Sequence, residues 1–124
     1  MSTILVTLLS VVALAVVDLK AEVTVKEYRT RMASRDSAVI AATRLYIKGV
    51  GEGIGWANNE PTTGRKPFYC PPEKLAVNLE NYMDILNRQI KTLSMRLTQS
   101  QLEEAWIGLL LLKGLQEAFP CASD

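Results

Sequence analysis

Phe68-Tyr69-Cys70-Pro71-Pro72 marks the point where a loop meets a helix start, and it carries one of only two cysteines in a chain of 124 residues. The other lies in Phe119-Pro120-Cys121, where a proline forces the last helix to stop. Joined, the two sulfurs would pin the final helix to the middle of the chain. The loop so closed holds about 50 residues, and on chain-entropy grounds closing it is worth roughly 4 kcal/mol. For one small domain, whose whole stability is roughly 5–15 kcal/mol, that is a large share. Such a bond persists only in an oxidising compartment. The alternative is a pair of buried, unpaired thiols in the cytosol, and the N-terminus argues against it.

That N-terminus is Met1-Ser2-Thr3 followed by an apolar run from Ile4 to Val17. The run falls short of the roughly 20 residues that a membrane-spanning helix needs, and its length fits the apolar region of a secretory signal. Ala13-Leu14-Ala15 offers a small-x-small cleavage site, and Ala21 offers a second. No Lys or Arg precedes the run, so only the α-amino group is positive there. The expected organisation is a signal peptide over residues 1–21, cleaved near Ala15 or Ala21 or kept as an anchor, and one domain over 22–124. The expected location is the periplasm, reached across the inner membrane.

Composition removes several function classes. Fourteen Lys and Arg against thirteen Asp and Glu leave a formal net charge of +1, and no basic block suggests nucleic acid. The chain contains no histidine. Neither a Ser-His nor a Cys-His catalytic pair, nor a zinc-His site, can be assembled from it. Glu80 with Asp84, and Glu103 with Glu104, sit at helix-surface spacing and read as solvated faces rather than an acid/base pair. Gly49, Gly51, Gly53 and Gly55 match neither a P-loop nor a dinucleotide fingerprint. No enzyme, cofactor or metal is expected.

The helices mark themselves by caps and period. Thr24-Val25-Lys26-Glu27 is a capping box that opens a short helix running to about Ala33. Ser34 and Asp36 can start a second helix that reads to about Asn58 and stops before Pro61. Its apolar stripe is Ala42, Leu45, Tyr46, Val50, Ile54 and Ala57. Trp56 is expected half-buried at its end. The four glycines each cost about 1 kcal/mol against alanine, so they are expected to let a neighbouring helix come close. A loop from Glu60 to Pro71 follows. Pro72 then suits the first turn of a third helix, with Glu73 just inside and a stripe of Leu75, Leu79, Tyr82, Leu86 and Leu93. Beyond Ile90, Thr92 to Leu97 either continues that helix or forms a connector.

Thr98 with Gln101, or Ser100 with Glu103, caps a fourth helix that contains Trp106-Ile107-Gly108-Leu109-Leu110-Leu111-Leu112. A helix apolar nearly all round is central to a core or shared with a partner. Trp106, Leu109, Leu110 and Leu112 are therefore expected in the core or at a homodimer surface. No segment alternates like a strand. The fold class is all-α, a small bundle of four to five helices held by one disulfide.

Taken in order, Tyr46-Ile47-Lys48-Gly49-Val50-Gly51-Glu52-Gly53, Phe68-Tyr69-Cys70-Pro71-Pro72 and Glu117-Ala118-Phe119-Pro120-Cys121 resemble the Rap/Tai immunity proteins over about residues 46–121. That resemblance implies a small periplasmic all-helical protein, generally a dimer. Such proteins protect bacteria from type VI secreted amidases that cut peptidoglycan peptide cross-links. It further implies that a connector between the last helices plugs the enzyme's cleft. Carried onto this chain, the effector-binding residues are Leu93, Ser94, Met95, Arg96, Leu97 and Thr98. Met95 and Leu97 would fill apolar subsites, and Arg96 would meet an acidic rim. The polar loop over 58–66 is a rival contact surface. Two other classes stay open: a disulfide-stapled acid-stress chaperone of the periplasm, and an adaptor subunit of an envelope assembly. After signal cleavage, neither nucleic acid nor membrane is an expected partner.

Overall fold

The computed structural model describes residues 22–123. The signal segment expected over 1–21, with its cleavage points at Ala15 and Ala21, lies outside the described residues. Within them the chain is all-α. Five helices and one short helical turn run in the order α1 (Val25–Met32), α2 (Ser37–Ala57), α3 (Glu60–Thr63), α4 (Leu79–Ser94), α5 (Gln99–Glu104) and α6 (Ile107–Ala118). There is no strand among these residues, only an isolated antiparallel bridge between Thr24 and Trp106.

Caps explain most boundaries. Thr24 accepts a hydrogen bond from the Glu27 N–H at 3.2 Å, while the Glu27 carboxylate accepts from the Thr24 N–H at 2.9 Å. These reciprocal bonds satisfy two otherwise orphaned donors at the start of α1. Asp36 caps α2 through the Ala38 N–H at 2.9 Å. Helix α2 passes unbroken through its glycines and ends with Asn58 at the C-cap.

Several expectations need correction. The third long helix does not begin at Pro72. It begins at Leu79, where Asn78 and Asn81 form a capping box of their own. Leu75 therefore lies outside the helix and is exposed. The segment before it is held elsewhere, since the Cys70 N–H donates to the Phe119 carbonyl at 2.8 Å. The loop after α2 is not wholly irregular, because α3 makes one helical turn in it. The last helical stretch is two helices, not one. Ala105 adopts an extended conformation, and its carbonyl accepts from the Val25 N–H at 2.9 Å. The Ile107 N–H donates to the Val23 carbonyl at 3.0 Å. Two bonds to the N-terminal segment thus replace the helical pairing that Ala105 and Trp106 give up. Trp56, finally, is 69% exposed rather than half-buried.

Helix α4 is the centre of the bundle and packs on α6, α2 and α5, while α1 packs on α2 and α5. Leu86, Leu111, Leu115, Ile47, Ile107 and Val25 are fully buried between them. Full burial of such side chains is worth roughly 1.5–3 kcal/mol each. Two glycines allow the close approach. A Cβ on Gly51 would lie 2.5 Å from the Tyr82 ring, and one on Gly114 would lie 2.6 Å from Ile85 Cγ2. The expectation that all the α2 glycines admit a neighbouring helix does not hold: Gly49 and Gly53 face open space, and what meets Gly51 is an aromatic ring.

Candidate functional site

Two features stand out from the bundle, a capped connector between α4 and α5 and the disulfide that fixes the segment before α4 to the end of α6. Cys70 and Cys121 are joined, with their Cα atoms 4.9 Å apart and a sequence separation of 51. Around the bond, Tyr69 and Phe119 approach with ring centroids 6.4 Å apart.

A residue that sequence reasoning passed over anchors this segment. Asn58 is legible as the end of α2 and the start of the polar loop, yet its carboxamide binds the backbone ten and eleven residues on. Its Oδ1 accepts from the Phe68 and Tyr69 N–H groups, and its Nδ2 donates to the Tyr69 carbonyl at 2.8 Å. A cap position is visible in sequence; its long-range acceptor is not.

The connector residues divide by direction. Leu93 and Leu97 pack against the core. The Ser94 hydroxyl donates to the Lys91 carbonyl at 2.6 Å. Met95 is 75% exposed, and Arg96 beside it is exposed too. The turn is closed by backbone bonds from the Arg96 and Leu97 N–H groups to the Leu93 carbonyl, at 3.0 and 2.9 Å. Thr98 ends it by capping α5 in a reciprocal box with Gln101. The result is a short turn fixed at both ends, with one long apolar side chain and one guanidinium outward. The Leu97 side chain faces the bundle and anchors the turn rather than projecting from it.

The α6 residues also divide. Leu110 is buried, Leu112 is half-buried, and Trp106 and Leu109 are 53% and 48% exposed. The apolar helix thus has an inner face in the core and an outer edge in solvent. Isolated exposed apolar residues are ordinary on protein surfaces, whereas a contiguous group marks an interaction site.

No helix among the described residues is long and apolar enough to cross a membrane. Among them no group of carboxylates or thiolates is arranged to hold a metal ion. Set against family models, curated proteins and solved structures, the chain finds no match in any of the three.

Proposed function

We propose that this protein is a periplasmic immunity protein that blocks a type VI secreted peptidoglycan amidase by seating the α4–α5 connector in the enzyme's active-site cleft. The observation that carries this reading is the connector itself, with Met95 and Arg96 outward on a turn fixed at both ends. A preformed turn loses little conformational freedom on docking, which removes part of the ordering cost of association. Tight inhibitors depend on a few anchors rather than on total area. Methionine adapts to irregular apolar pockets, and arginine pairs well with acidic rims. The disulfide suits an oxidising compartment, and the sequence resemblance points the same way. The exposed outer edge of α6, with Trp106 and Leu109, is the surface through which a homodimer would form.

The test uses a secreted cell-wall amidase encoded beside this gene, assayed by release from purified peptidoglycan. Stoichiometric addition of the protein abolishes hydrolysis. The double variant Met95→Asp/Arg96→Glu loses at least tenfold in inhibition while keeping its melting temperature. A double variant that inhibits as well as the parent would rule out the connector as the plug.

One observation favours a second reading. Leu45, Trp56, Trp106 and Leu109 are all well exposed, as a chaperone for unfolded envelope proteins would require. That reading predicts a rise in apolar dye binding on acidification and suppression of client aggregation, neither of which an amidase inhibitor needs.

A further inference from the structure

At the C-terminal end of α2, two tyrosines from separate segments pack against the helix beside a shallow cavity. The Tyr82 ring from α4 lies across α2 at Gly51, so close that a Cβ there would sit 2.5 Å from its edge carbons. One turn on, a Cβ on Gly55 would sit 3.7 Å from the Tyr69 hydroxyl. Asn58 holds the Tyr69 backbone from behind. The two side chains are 5% and 3% exposed. Neither hydroxyl has a hydrogen-bond partner among the described residues, yet no side-chain oxygen there is sealed off without one. Both oxygens therefore open to solvent at their tips while their rings are packed.

Tyr82 is part of the wall of a shallow cavity of ≈ 280 Å³, shared with Glu52, Gly55, Trp56 and Asn59, while Tyr69 packs beside it. That is at the small end of ligand sites and suits a single ring. Trp56 offers a broad apolar indole face, 69% exposed. Glu52 accepts hydrogen bonds, while Asn59 and the Tyr82 phenol can donate and accept. Burial, with the Glu52 carboxylate as the second cause, pushes the Tyr82 hydroxyl above its ordinary range. Burial, followed by the neighbouring Tyr82, does the same to Tyr69. Both therefore remain protonated donors at neutral pH.

A pyranose has the matching chemistry. One face carries C–H groups that stack on an indole, and its rim carries hydroxyls that each donate and accept. A cation would be drawn by the indole face as well. Here, however, Lys48 already sits 3.6 Å from the Glu52 carboxylate, so the site's one negative charge is partly compensated. A neutral ligand uses the mixed donor and acceptor set more fully. We propose that the Trp56–Tyr82 cavity is a binding site for a neutral hexopyranose ring, with Trp56 as the stacking platform and Glu52, Asn59 and the Tyr82 phenol reading the hydroxyl rim. The site includes no connector residue, so it stands or falls apart from the inhibitor reading.

Trp56 and Trp106 are the two tryptophans of the chain, and their indole N–H signals in a nitrogen–proton correlation spectrum give a probe and an internal control. The labelled protein is titrated into the millimolar range with D-glucose, with N-acetyl-D-glucosamine, and in parallel with tetramethylammonium chloride. The expected result is a saturable shift of the Trp56 indole with at least one sugar and none at Trp106. Tyr82→Phe keeps the ring over Gly51 and removes only the hydroxyl. It should weaken binding roughly tenfold, as loss of one hydrogen bond to a ligand does. Trp56→Ala, at an exposed position, should abolish binding as read from the Glu52 and Asn59 amides. The absence of any saturable sugar shift would overturn the proposal. So would a shift produced by tetramethylammonium alone, or unchanged sugar affinity in both variants.

Discussion

At the scale of single residues, identical chemistry has opposite meaning a turn apart. Gly51 lies against the Tyr82 ring, whereas Gly49 and Gly53 have nothing within 4 Å of where a Cβ would be. Gly51→Ala must displace a packed aromatic ring and is expected to cost about 1–3 kcal/mol. Gly49→Ala and Gly53→Ala remove the backbone freedom of glycine from an exposed helix face and should each stabilise by about 0.4–1 kcal/mol. Urea unfolding of the three variants checks the contrast, and equal effects would refute it. The spacing of the four glycines was visible in the sequence. Which of them meets a neighbour depends on how α4 crosses α2, and no local pattern encodes that. The tyrosines carry a second residue-scale expectation. Burial raises Tyr28, Tyr69 and Tyr82 above their ordinary value near 10. Their unfolded forms lose protons first as the solution turns alkaline. The stability they contribute is thus fully present below about pH 10 and is lost as pH rises through the folded values. Absorbance titration of the phenolates should show Tyr28, Tyr69 and Tyr82 ionising late, with unfolding setting in over the same range. Ordinary titration of these three in a folded protein would contradict it.

At the scale of elements, the caps were the most legible part of the chain. Thr24 with Glu27, Asp36, and Thr98 with Gln101 all act as caps where their residue types place them. The start of α4 was misread for a physical reason. Pro72 and Glu73 carry the chemistry of a first turn, but the disulfide and the Cys70–Phe119 backbone bond tie that segment to the last helix. The working box is Asn78 with Asn81, which carries asparagine where glutamate or glutamine is usual. Asn78→Ala should therefore cost about 1 kcal/mol in urea unfolding, while Pro72→Ala at an exposed non-helical position should stay within about 0.5 kcal/mol. The reverse order would restore Pro72 as the start of the helix. The break between α5 and α6 was not legible, because the bonds that compensate it come from Val23 and Val25, far earlier in the chain.

At the scale of the whole molecule, the two cysteines stated the topology in advance: a terminal helix returned to the middle of the chain and fixed there. The bond encloses the loop after α3 together with α4, α5 and α6. Cys70→Ser and Cys121→Ser remove the same link and should lose the same stability, about 4 kcal/mol on chain-entropy grounds. Clearly unequal losses in urea would argue that the sulfurs act separately. The candidate surfaces were less legible than the scaffold. Sequence placed Leu93 to Thr98 together, but only packing separates the inward Leu93 and Leu97 from the outward Met95 and Arg96. The Trp56 cavity could not be read at all, since its walls come from α2, α4 and the link between α2 and α3.

The account depends most on export followed by oxidation, and mass spectrometry of the protein isolated from its native host without reductant tests that directly. The expected mass is lower than the reduced value by two hydrogens, with Cys70 and Cys121 recovered in one linked peptide and an N-terminus just past Ala15 or Ala21. Recovery of two alkylatable thiols on a chain that still begins at Met1 would contradict it.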